Sequence, residues 1–431
     1  MPARILFVGD IHLGRRPGRL PENLGEFDVA VAELTPVAAW RRVVRYAVEA
    51  EVDAVVLAGD VVEADNARFE AYGQLQDGVR RLLDGGIAVY AVSGNHDVDA
   101  LPRMAEAIDG FRLLGRGGRW EVVTIRRDDR PIARLAGWSF PVAQQTTSPL
   151  GAGDFVAKDA DLPLLGVLHC DLLSPDSSYA PVSRVDLERT AMDGWFLGHV
   201  HKPDVLERGR PIGYLGALVG LDPSETGPHG PWLVRVGGNE PIEVEQLPLA
   251  PLRWETVELD AARVGAADEL DRAIHRTIEE FHGGVAATLG EARAVGCRVR
   301  LTGMSALHRE LRRRTDAADL ESLRFNCDGV LYFVDKVTDE SRPEIDLESL
   351  AGEDHPPGLL ARKLLALEKG GEQATTLLQQ ARRELMRVSD DRIWAQLDPV
   401  ELDDRMLHRL LLDSGTRALE ELLEQVGEGR V

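Results

Sequence analysis

The sequence predicts an α/β fold for its first part, with two packed sheets between helices, followed by a small α/β domain and a helical tail. Short apolar, β-branched runs alternate there with stretches of helical apolar spacing, which is the pattern of α/β proteins. Nine such runs precede residue 250. So many strands favour two sheets, an αββα sandwich, over a single sheet.

The predicted elements of this first part follow one another closely. Strands are predicted at 3–8, 53–58, 87–92, 120–125, 132–138, 164–168, 195–197, 212–215 and 232–236, and helices at 29–50 and 68–83. The strands at 120–125 and 132–138 flank the turn sequence Arg127-Asp128-Asp129-Arg130, so we expect them to pair.

A proline-containing segment at 247–251 marks the end of the first domain. Beyond it we predict strands at 252–259, 297–301 and 330–337 and helices at 266–281 and 305–314, which make a small α/β domain. A polar stretch at 338–357 leads into the helical tail. The predicted domains are therefore residues 1–250, 251–345 and 346–431.

The composition is that of a soluble globular protein, with 44% hydrophobic and 28% charged residues. We expect no signal peptide and no membrane segment, because a strand begins almost at once and no apolar run approaches about 20 residues. Three widely spaced cysteines, Cys170, Cys297 and Cys327, favour reduced thiols and a cytoplasmic location. The net charge of −22 extends over both halves and excludes a basic nucleic-acid-binding module, though not a local basic stripe.

Metal-capable side chains follow five of the predicted strands at the point where each strand ends. In chain order they are Asp10 and His12, Asp60, Asn95 and His96, His169, and His199 and His201. Sites of open α/β sheets form at the carboxyl ends of strands, so we expect these side chains to meet at one edge. In Asp10-Ile11-His12 one apolar residue separates the polar pair, and the two-residue period of an extended chain places both on one side.

This donor set points to two metal ions. Even without His96, two carboxylates, one amide oxygen and four imidazoles are too many ligands for one ion. Mixed nitrogen and oxygen donors without thiolate favour manganese, iron or zinc over calcium or magnesium. Cys170 adjoins His169 but would point to the opposite face of its strand, so we interpret it as a buried thiol.

These blocks also carry a family resemblance. Gly9-Asp10-Ile11-His12, Gly59-Asp60, Gly94-Asn95-His96-Asp97, His169 and Gly198-His199-Val200-His201 resemble, in this order, the motifs of the calcineurin-like metallophosphoesterases. His12-Leu13-Gly14 is similar to the SbcD-type DNA repair exonucleases. Tyr179-Ala180-Pro181, Glu225-Thr226-Gly227-Pro228 and Leu301-Thr302-Gly303 resemble the YhaO-like bacterial branch.

The resemblance implies a metallophosphoesterase sandwich, a small α/β capping domain and a role for each site residue. One metal ion would be held by Asp10, His12, Asp60 and His201, and the other by Asn95, His169 and His199, with Asp60 bridging. His96 would be the catalytic acid that protonates or orients the leaving oxygen. Asp97 either orients that imidazole or caps the next helix.

The chain departs from the resemblance at one position. Archaeal and eukaryotic members of this nuclease family carry a second catalytic histidine three residues after the bridging aspartate. Glu63 occupies that position here. Phosphodiester hydrolysis remains the expected reaction, while the role of Glu63 stays open.

Three groups of arginines are candidate substrate contacts. Arg15, Arg16 and Arg19 follow His12 closely and would either bind phosphate or form a solvated loop. The other two groups, with the same alternatives, are Arg112, Arg116 and Arg119, and Arg309 with Arg312, Arg313 and Arg314.

The prediction that follows is a manganese-dependent DNA nuclease, acting as an exonuclease or endonuclease in DNA repair. The resemblance further implies an SbcC-like, SMC-type coiled-coil ATPase partner and a homodimer. Leucine rows in the tail would either dock that partner or pack against the chain's own core: Leu359, Leu360, Leu364, Leu365, Leu377 and Leu378. The alternatives are a phosphatase or cyclic-nucleotide phosphodiesterase using the same metals, and a scaffold subunit that binds DNA ends.

Overall fold

The computed structural model describes residues 2–22, 24–63, 70–151, 162–172, 174, 176–237, 240–316, 318–389 and 403–428. Its strands are β1 Ala3–Val8, β2 Ala54–Ala58, β3 Ala88–Val92, β4 Phe111–Leu113, β5 Glu121–Arg127, β6 Arg130–Trp138, β7 Leu164–His169, β8 Gly194–Gly198, β9 Ile212–Tyr214, β10 Trp232–Val236, β11 Glu243–Gln246, β12 Leu252–Asp260, β13 Ala294–Thr302, β14 Met304–Ser305, β15 Arg324–Cys327, β16 Val330–Asp339 and β17 Arg342–Pro343. Its α-helices are α1 Pro36–Glu49, α2 Glu70–Asp84, α3 Ala100–Ala107, α4 Arg184–Arg189, α5 Leu270–Val285, α6 His308–Thr315, α7 Leu347–Ala351, α8 Pro356–Lys369, α9 Glu372–Ser389 and α10 Asp404–Glu428.

The first sheet has the strand order β11-β10-β1-β2-β3-β4. β1 to β4 run parallel to one another, β10 pairs antiparallel with β1, and β11 pairs antiparallel with β10. All five residues of β2 are buried, as expected of a parallel strand that is covered on both faces. The carboxyl ends of β1, β2 and β3 therefore lie side by side.

The second sheet has the order β5-β6-β7-β8-β9, and β6 to β9 are parallel. β5 and β6 form the predicted hairpin. Its two-residue turn places Asp128 and Asp129 at φ values of 47° and 62°, the left-handed conformation that matches the twist of paired strands.

The two sheets pack face to face, and helices cover both outer faces. The rings of Phe7 and Phe196, one from each sheet, stack with centroids 3.9 Å apart in the core between the sheets. Trp40 of α1 is buried against the outer face of the first sheet, and Trp195 packs with Leu187 of α4 outside the second. The predicted αββα sandwich is confirmed.

One predicted helix is shorter than expected. Within the predicted range 29–50, the α-helix spans only Pro36–Glu49, and a short 3₁₀ helix at Val31–Leu34 precedes it. Thr35 has extended backbone and its hydroxyl accepts a hydrogen bond from the Ala38 amide at 3.4 Å, which caps the helix. Proline at the first helical position has no N–H to lose there, so the helix begins at Pro36.

A second, mostly parallel sheet domain follows the sandwich. Its order is β12-β13-β16-β15, in which only β15 is antiparallel to its neighbour. α5 covers this sheet and buries Leu270, Ile274 and Ile278. The small α/β domain predicted here is thus observed, with longer strands than the sequence indicated.

The chain divides into two compact units, Met1–Thr302 with Leu311–Glu340, and Gly303–Glu310 with Ser341–Val431. The second unit contains α7 to α10. Ala361, Leu364 and Leu419 form its buried core, whereas Leu359 is 54% exposed. The domain limits at 250 and 345 stay predictions. Among the described residues, no helix is long and apolar enough to cross a membrane.

Candidate metal centre

The predicted site residues follow strands of both sheets. Asp10 and His12 follow β1, Asp60 follows β2, Asn95 and His96 follow β3, His169 ends β7, and His199 and His201 follow β8. Contacts join the two sheets at this edge, because His169 Nδ1 lies 3.1 Å from the Ala58 carbonyl oxygen. The Asp10 carboxylate likewise accepts a hydrogen bond from the His199 amide at 3.0 Å.

The backbone at this edge is strained. Four of the predicted ligands have left-handed φ values, 27° at Asp10, 51° at His12, 48° at Asp60 and 108° at His199. Such conformations cost about 1–3 kcal/mol each and concentrate at functional sites. Glycine is required beside them: a Cβ on Gly94 would lie 2.2 Å from an Asp60 carboxylate oxygen.

Asp10, His12 and His201 form a first group of donor atoms, which lie within 4.8 Å of one another. The Nε2 atoms of His12 and His201 are 3.0 Å apart. Each imidazole is held from behind by a carboxylate, His12 Nδ1 by Glu63 at 3.0 Å and His201 Nδ1 by Glu225 at 2.7 Å. Since both Nδ1 atoms donate, both Nε2 lone pairs point at the same space, which suits a shared cation.

Asp10, Asp60 and His169 form a second group of the same size. His169 Nε2 lies 3.5 Å from Asp60 Oδ2 and 3.1 Å from Asn95 Oδ1. Its Nδ1 donates to the Ala58 carbonyl, so Nε2 carries the lone pair that faces these oxygens. Burial lowers the pKa of His169 to about 4, and the ring is therefore neutral and able to coordinate at pH 7.

His199 and His96 lie at the margin of these groups. The His199 ring packs 5.2 Å from that of His169 and 5.1 Å from that of Tyr179, measured between centroids. The His96 amide donates to Asp60 at 3.0 Å. The His96 side chain is 42% exposed, and its Nδ1 lies 2.9 Å from Glu63 Oε1. The His96 ring is therefore partly exposed at the edge of the site.

The carboxylates show that positive charge suits this site. Burial raises the pKa of Asp10 to about 8, although nearby His201 opposes the shift. Burial alone would also raise the pKa of Asp60, but the imidazoles of His169 and His12 lower it on balance. A buried carboxylate is costly unless a cation compensates it. Two carboxylates, an amide oxygen and converging imidazoles fit a pair of divalent cations, without identifying the metal.

Three acidic residues have roles that the sequence did not assign. Glu63 accepts hydrogen bonds from both His12 and His96, and Glu225 holds His201. Asp97 is buried, and its carboxylate accepts from the Gly94 amide at 2.8 Å and from the Val61 amide at 2.7 Å. Asp97 thus ties the loop after β3 to the loop after β2.

The arginine groups differ in what they contact. Arg15, Arg16 and Arg19 are exposed, and the charge of Arg15 opposes the raised pKa of His201, which places it within electrostatic reach of the site. Hydrogen bonds from Ser224, together with the charge of Arg19, lower the pKa of Asp222.

The other two arginine groups are partly neutralised. Arg112 pairs with Glu121 at 2.8 Å, and Arg116 pairs with Glu106. Arg314 binds the carboxylates of Asp271 and Asp319, with 2.7 Å to the former.

Family comparisons agree with this geometry. Residues 3–203 match the model of the calcineurin-like phosphoesterases, a range that contains every predicted metal ligand. The chain carries a calcineurin-like metallophosphoesterase domain. Residues 254–342 match the middle domain of metallophosphoesterase YhaO, which corresponds to the sheet domain around β12 to β16. A YhaO-like middle domain thus follows the phosphoesterase domain, and the phosphoesterase family implies a hydrolase.

Individual relatives are of modest similarity. The metallophosphoesterase YhaO of Bacillus subtilis is 26% identical over 281 residues, 64% of this chain and 67% of that one. The DNA double-strand break repair protein Mre11 of Aeropyrum pernix is 26% identical over 298 residues, 66% of this chain and 69% of its own length. Mre11 of Haloferax volcanii is 26% identical over 302 residues, 68% of this chain and 62% of its own length.

Solved structures are more distant. A dimetal phosphatase from Danio rerio matches 57% of this chain and 99% of its own with 12% identity and a TM-score of 0.35. Purple acid phosphatase PPD1 from yellow lupin matches 57% of this chain and 48% of its own with 13% identity and a TM-score of 0.33.

Proposed function

We propose that this metallophosphoesterase hydrolyses phosphodiester bonds of DNA with two divalent metal ions, as an exonuclease or endonuclease of DNA repair. The observation that carries the proposal is the convergence of donor atoms from five strand ends, with the imidazole of His96 exposed beside them. Asp10, His12, Asp60 and His201 would hold one ion. Asn95, His169 and His199 would hold the other, with Asp60 shared.

Each side chain then has a defined task. A pair of divalent ions, when bound, activates a water nucleophile and polarises the phosphoryl group. The His96 ring, protonated at both nitrogens, would contact the leaving oxygen through Nε2 and give up that proton there, which leaves a neutral ring with Nδ1–H still bonded to Glu63. Glu63 accepts from His96 Nδ1 and so fixes the ring with Nε2 directed outward. Asp97 positions the loop that carries Asn95 and His96 but does not contact either imidazole nitrogen.

Nucleic acid as substrate is supported by the relatives named for double-strand break repair and by Arg15 near His201. A guanidinium beside two metal ions suits a phosphate neighbouring the scissile one. Manganese is the proposed metal, with iron or zinc as alternatives from the same donor set. The cytoplasm is the proposed location, since the three cysteines are free and buried.

An SMC-type coiled-coil ATPase of the SbcC kind is the proposed partner. Supporting this, the helical unit leaves apolar side chains exposed, Leu359 at 54%, Met386 at 62%, Met406 at 50% and Leu410 at 43%. Apolar side chains that are exposed in this way are available for burial against a partner. A homodimer is part of the same proposal and rests on family resemblance alone.

The proposal is tested with end-labelled duplex and single-stranded DNA, in the presence of Mn²⁺ and after treatment with a chelator. We expect metal-dependent cleavage that is lost in His96→Ala, while that variant still binds two ions. Hydrolysis of bis-p-nitrophenyl phosphate without any cleavage of DNA would instead favour a phosphatase or cyclic-nucleotide phosphodiesterase. DNA-end binding without hydrolysis of either compound would favour a scaffold.

A further inference from the structure

The segment 217–229 links the metal centre to the YhaO-like domain. It begins next to the site, where the Ala217 amide donates to the His201 carbonyl at 2.7 Å and the Leu218 amide donates to the Asp10 carbonyl at 3.2 Å. Its sequence contains Glu225-Thr226-Gly227-Pro228, and none of the predicted metal ligands lies in this block. We call residues 217–229 the connector.

Glu225 is the functional group of the connector. One carboxylate oxygen accepts from His201 Nδ1 at 2.7 Å, and the other accepts from the Leu221 amide at 2.6 Å. The Glu225 side chain is only 15% exposed, so water competes weakly for these bonds. A carboxylate on Nδ1 selects the tautomer whose Nε2 lone pair is free for a metal, and it fixes the orientation of the ring.

The connector is closed by His229. This imidazole is 1% exposed. Its Nδ1 lies 2.8 Å from the Ala217 carbonyl oxygen, and its Nε2 lies 3.1 Å from the Glu225 carbonyl oxygen. The buried ring is thus packed between backbone carbonyls of Ala217 and Glu225, which limits movement of the Glu225 carboxylate.

Trp254 of β12 holds the connector from the side of the YhaO-like domain. Its indole Nε1 donates to the Gly220 carbonyl at 3.1 Å, and its own carbonyl accepts from the Gly227 amide at 2.9 Å. The ring is fully buried and packs edge-on against Phe333 with centroids 5.4 Å apart. A residue of the second domain thus contacts the connector on both sides of Glu225.

We propose that Glu225 is a positioning residue for the metal ligand His201, and that Trp254 keeps it in place. The YhaO-like domain then supports one of the two metal positions of the phosphoesterase domain. This inference rests on the two-metal site of the proposed function. It assigns a role to the Glu-Thr-Gly-Pro block, which would otherwise have none.

The test measures Mn²⁺ binding by isothermal titration calorimetry on the full chain, independently of activity. In Glu225→Ala we expect one of two binding constants to fall about 10–100-fold, which is the usual effect of removing a second-layer carboxylate. Glu225→Gln keeps an oxygen acceptor for Nδ1–H and should restore most of the affinity. Trp254→Phe removes only the indole N–H, and we expect a smaller loss at the same site.

The decisive comparison uses His201→Ala as the background. Because Glu225 acts through His201, adding Glu225→Ala to His201→Ala should produce no further loss of affinity. Glu243→Ala is the control, since Glu243 is exposed and pairs with Arg208. We expect it to bind both ions as the wild type does.

Several results would overturn the inference. Unchanged affinities in Glu225→Ala would do so, as would an equal loss on the wild-type and His201→Ala backgrounds, because either indicates a purely structural role. Circular dichroism shows whether Glu225→Ala folds. If it does not fold, Glu225→Gln takes its place, and an equal loss of Mn²⁺ affinity at both sites in that variant would overturn the inference. If the wild-type chain binds fewer than two ions, the two-metal site of the proposed function fails as well. If it binds two ions and only the Glu225 result is contrary, the positioning role of Glu225 fails alone.

Discussion

Glu63 offers the sharpest test of the proposed mechanism, because one carboxylate contacts two histidines with different tasks. Its Oε2 lies 3.0 Å from His12 Nδ1, and its Oε1 lies 2.9 Å from His96 Nδ1. His12 is a predicted metal ligand and His96 the predicted acid. Glu63→Ala should therefore weaken metal binding and slow the chemical step at the same time.

The structure sets the size of both effects. The hydrogen bond from His12, with that from His96, lowers the pKa of Glu63 from 4.5 to about 2, which corresponds to about 3 kcal/mol of preference for the ionised carboxylate. Removal of a carboxylate that holds a metal-ligating imidazole lowers metal affinity about 10–100-fold, so we expect roughly a tenfold loss or more through His12. The loss of kcat is limited by what His96 contributes, about 10²–10⁴-fold for a general acid.

The assay follows hydrolysis of bis-p-nitrophenyl phosphate as a function of Mn²⁺ concentration. His96→Ala should lower kcat and leave the half-saturating Mn²⁺ concentration unchanged. Glu63→Ala should raise that concentration and also lower kcat at saturating metal. The double variant should have the kcat of His96→Ala, since Glu63 acts on the proton transfer only through that ring.

Glu106→Ala is the matched control, because Glu106 pairs with Arg116 on the surface. It should behave as the wild type. The reasoning is refuted if Glu63→Ala keeps the wild-type kcat and metal dependence, or if the losses of kcat in Glu63→Ala and His96→Ala multiply in the double variant.

Three further predictions follow from groups in the sandwich and the second domain. Asp97→Asn leaves one buried backbone N–H without an acceptor, so the free energy of unfolding in urea should fall by about 1–3 kcal/mol. Cys170 and Cys297 are fully buried, and burial raises their pKa values, so neither should react with dithiobis(nitrobenzoate) until the protein unfolds. Mn²⁺ affinity, measured by calorimetry, should fall as the pH falls through the pKa of His201. Burial alone would lower the pKa of His201, but the hydrogen bond to the Glu225 carboxylate raises it above 6.5. The protonated ring has no free lone pair and cannot coordinate a metal.

Each of these has its own control and contrary result. Asp99→Asn is the partner for Asp97→Asn, since the exposed Asp99 side chain makes no capping hydrogen bond, and equal stability losses would argue against the role given to Asp97. Rapid labelling of either buried thiol in the folded protein would contradict its placement in the core. A pH-independent affinity in the wild type would mean that no proton competes for the Nε2 of His201.

The sequence was sufficient for most of the fold and for the donor set because both depend on regular spacing. β1, β2 and β3 are largely apolar runs, and each is followed by polar side chains where the strand ends. Parallel strands bring their carboxyl ends together, so the convergence of Asp10 and Asp60 could be predicted without knowing any distance. Which donor atoms form each of the two groups depends on the backbone turns after the strands, and the spacing of residues in the sequence does not determine these turns.

The missed elements depend on contacts between distant parts of the chain. β4 and β11 are short edge strands with mixed polarity, and they form because a neighbouring strand is already in place. Glu225 lies 24 residues from His201, and Glu63 lies 51 residues from His12. A single glutamate in a polar loop has no periodicity, so only the folded chain reveals which histidine it holds.

An acidic protein that acts on DNA needs a local source of positive charge, and the structure limits where that source lies. The net charge is −22. Arg112, Arg116 and Arg314 are each paired with carboxylates within the chain, so they offer little field to a polyanion. Arg15 beside the metal centre differs, because it lies close to where two divalent cations would add four positive charges. In the proposed function, bound metal ions would therefore attract the phosphate backbone as well as promote its cleavage, so that substrate binding and catalysis would depend on the same donor set.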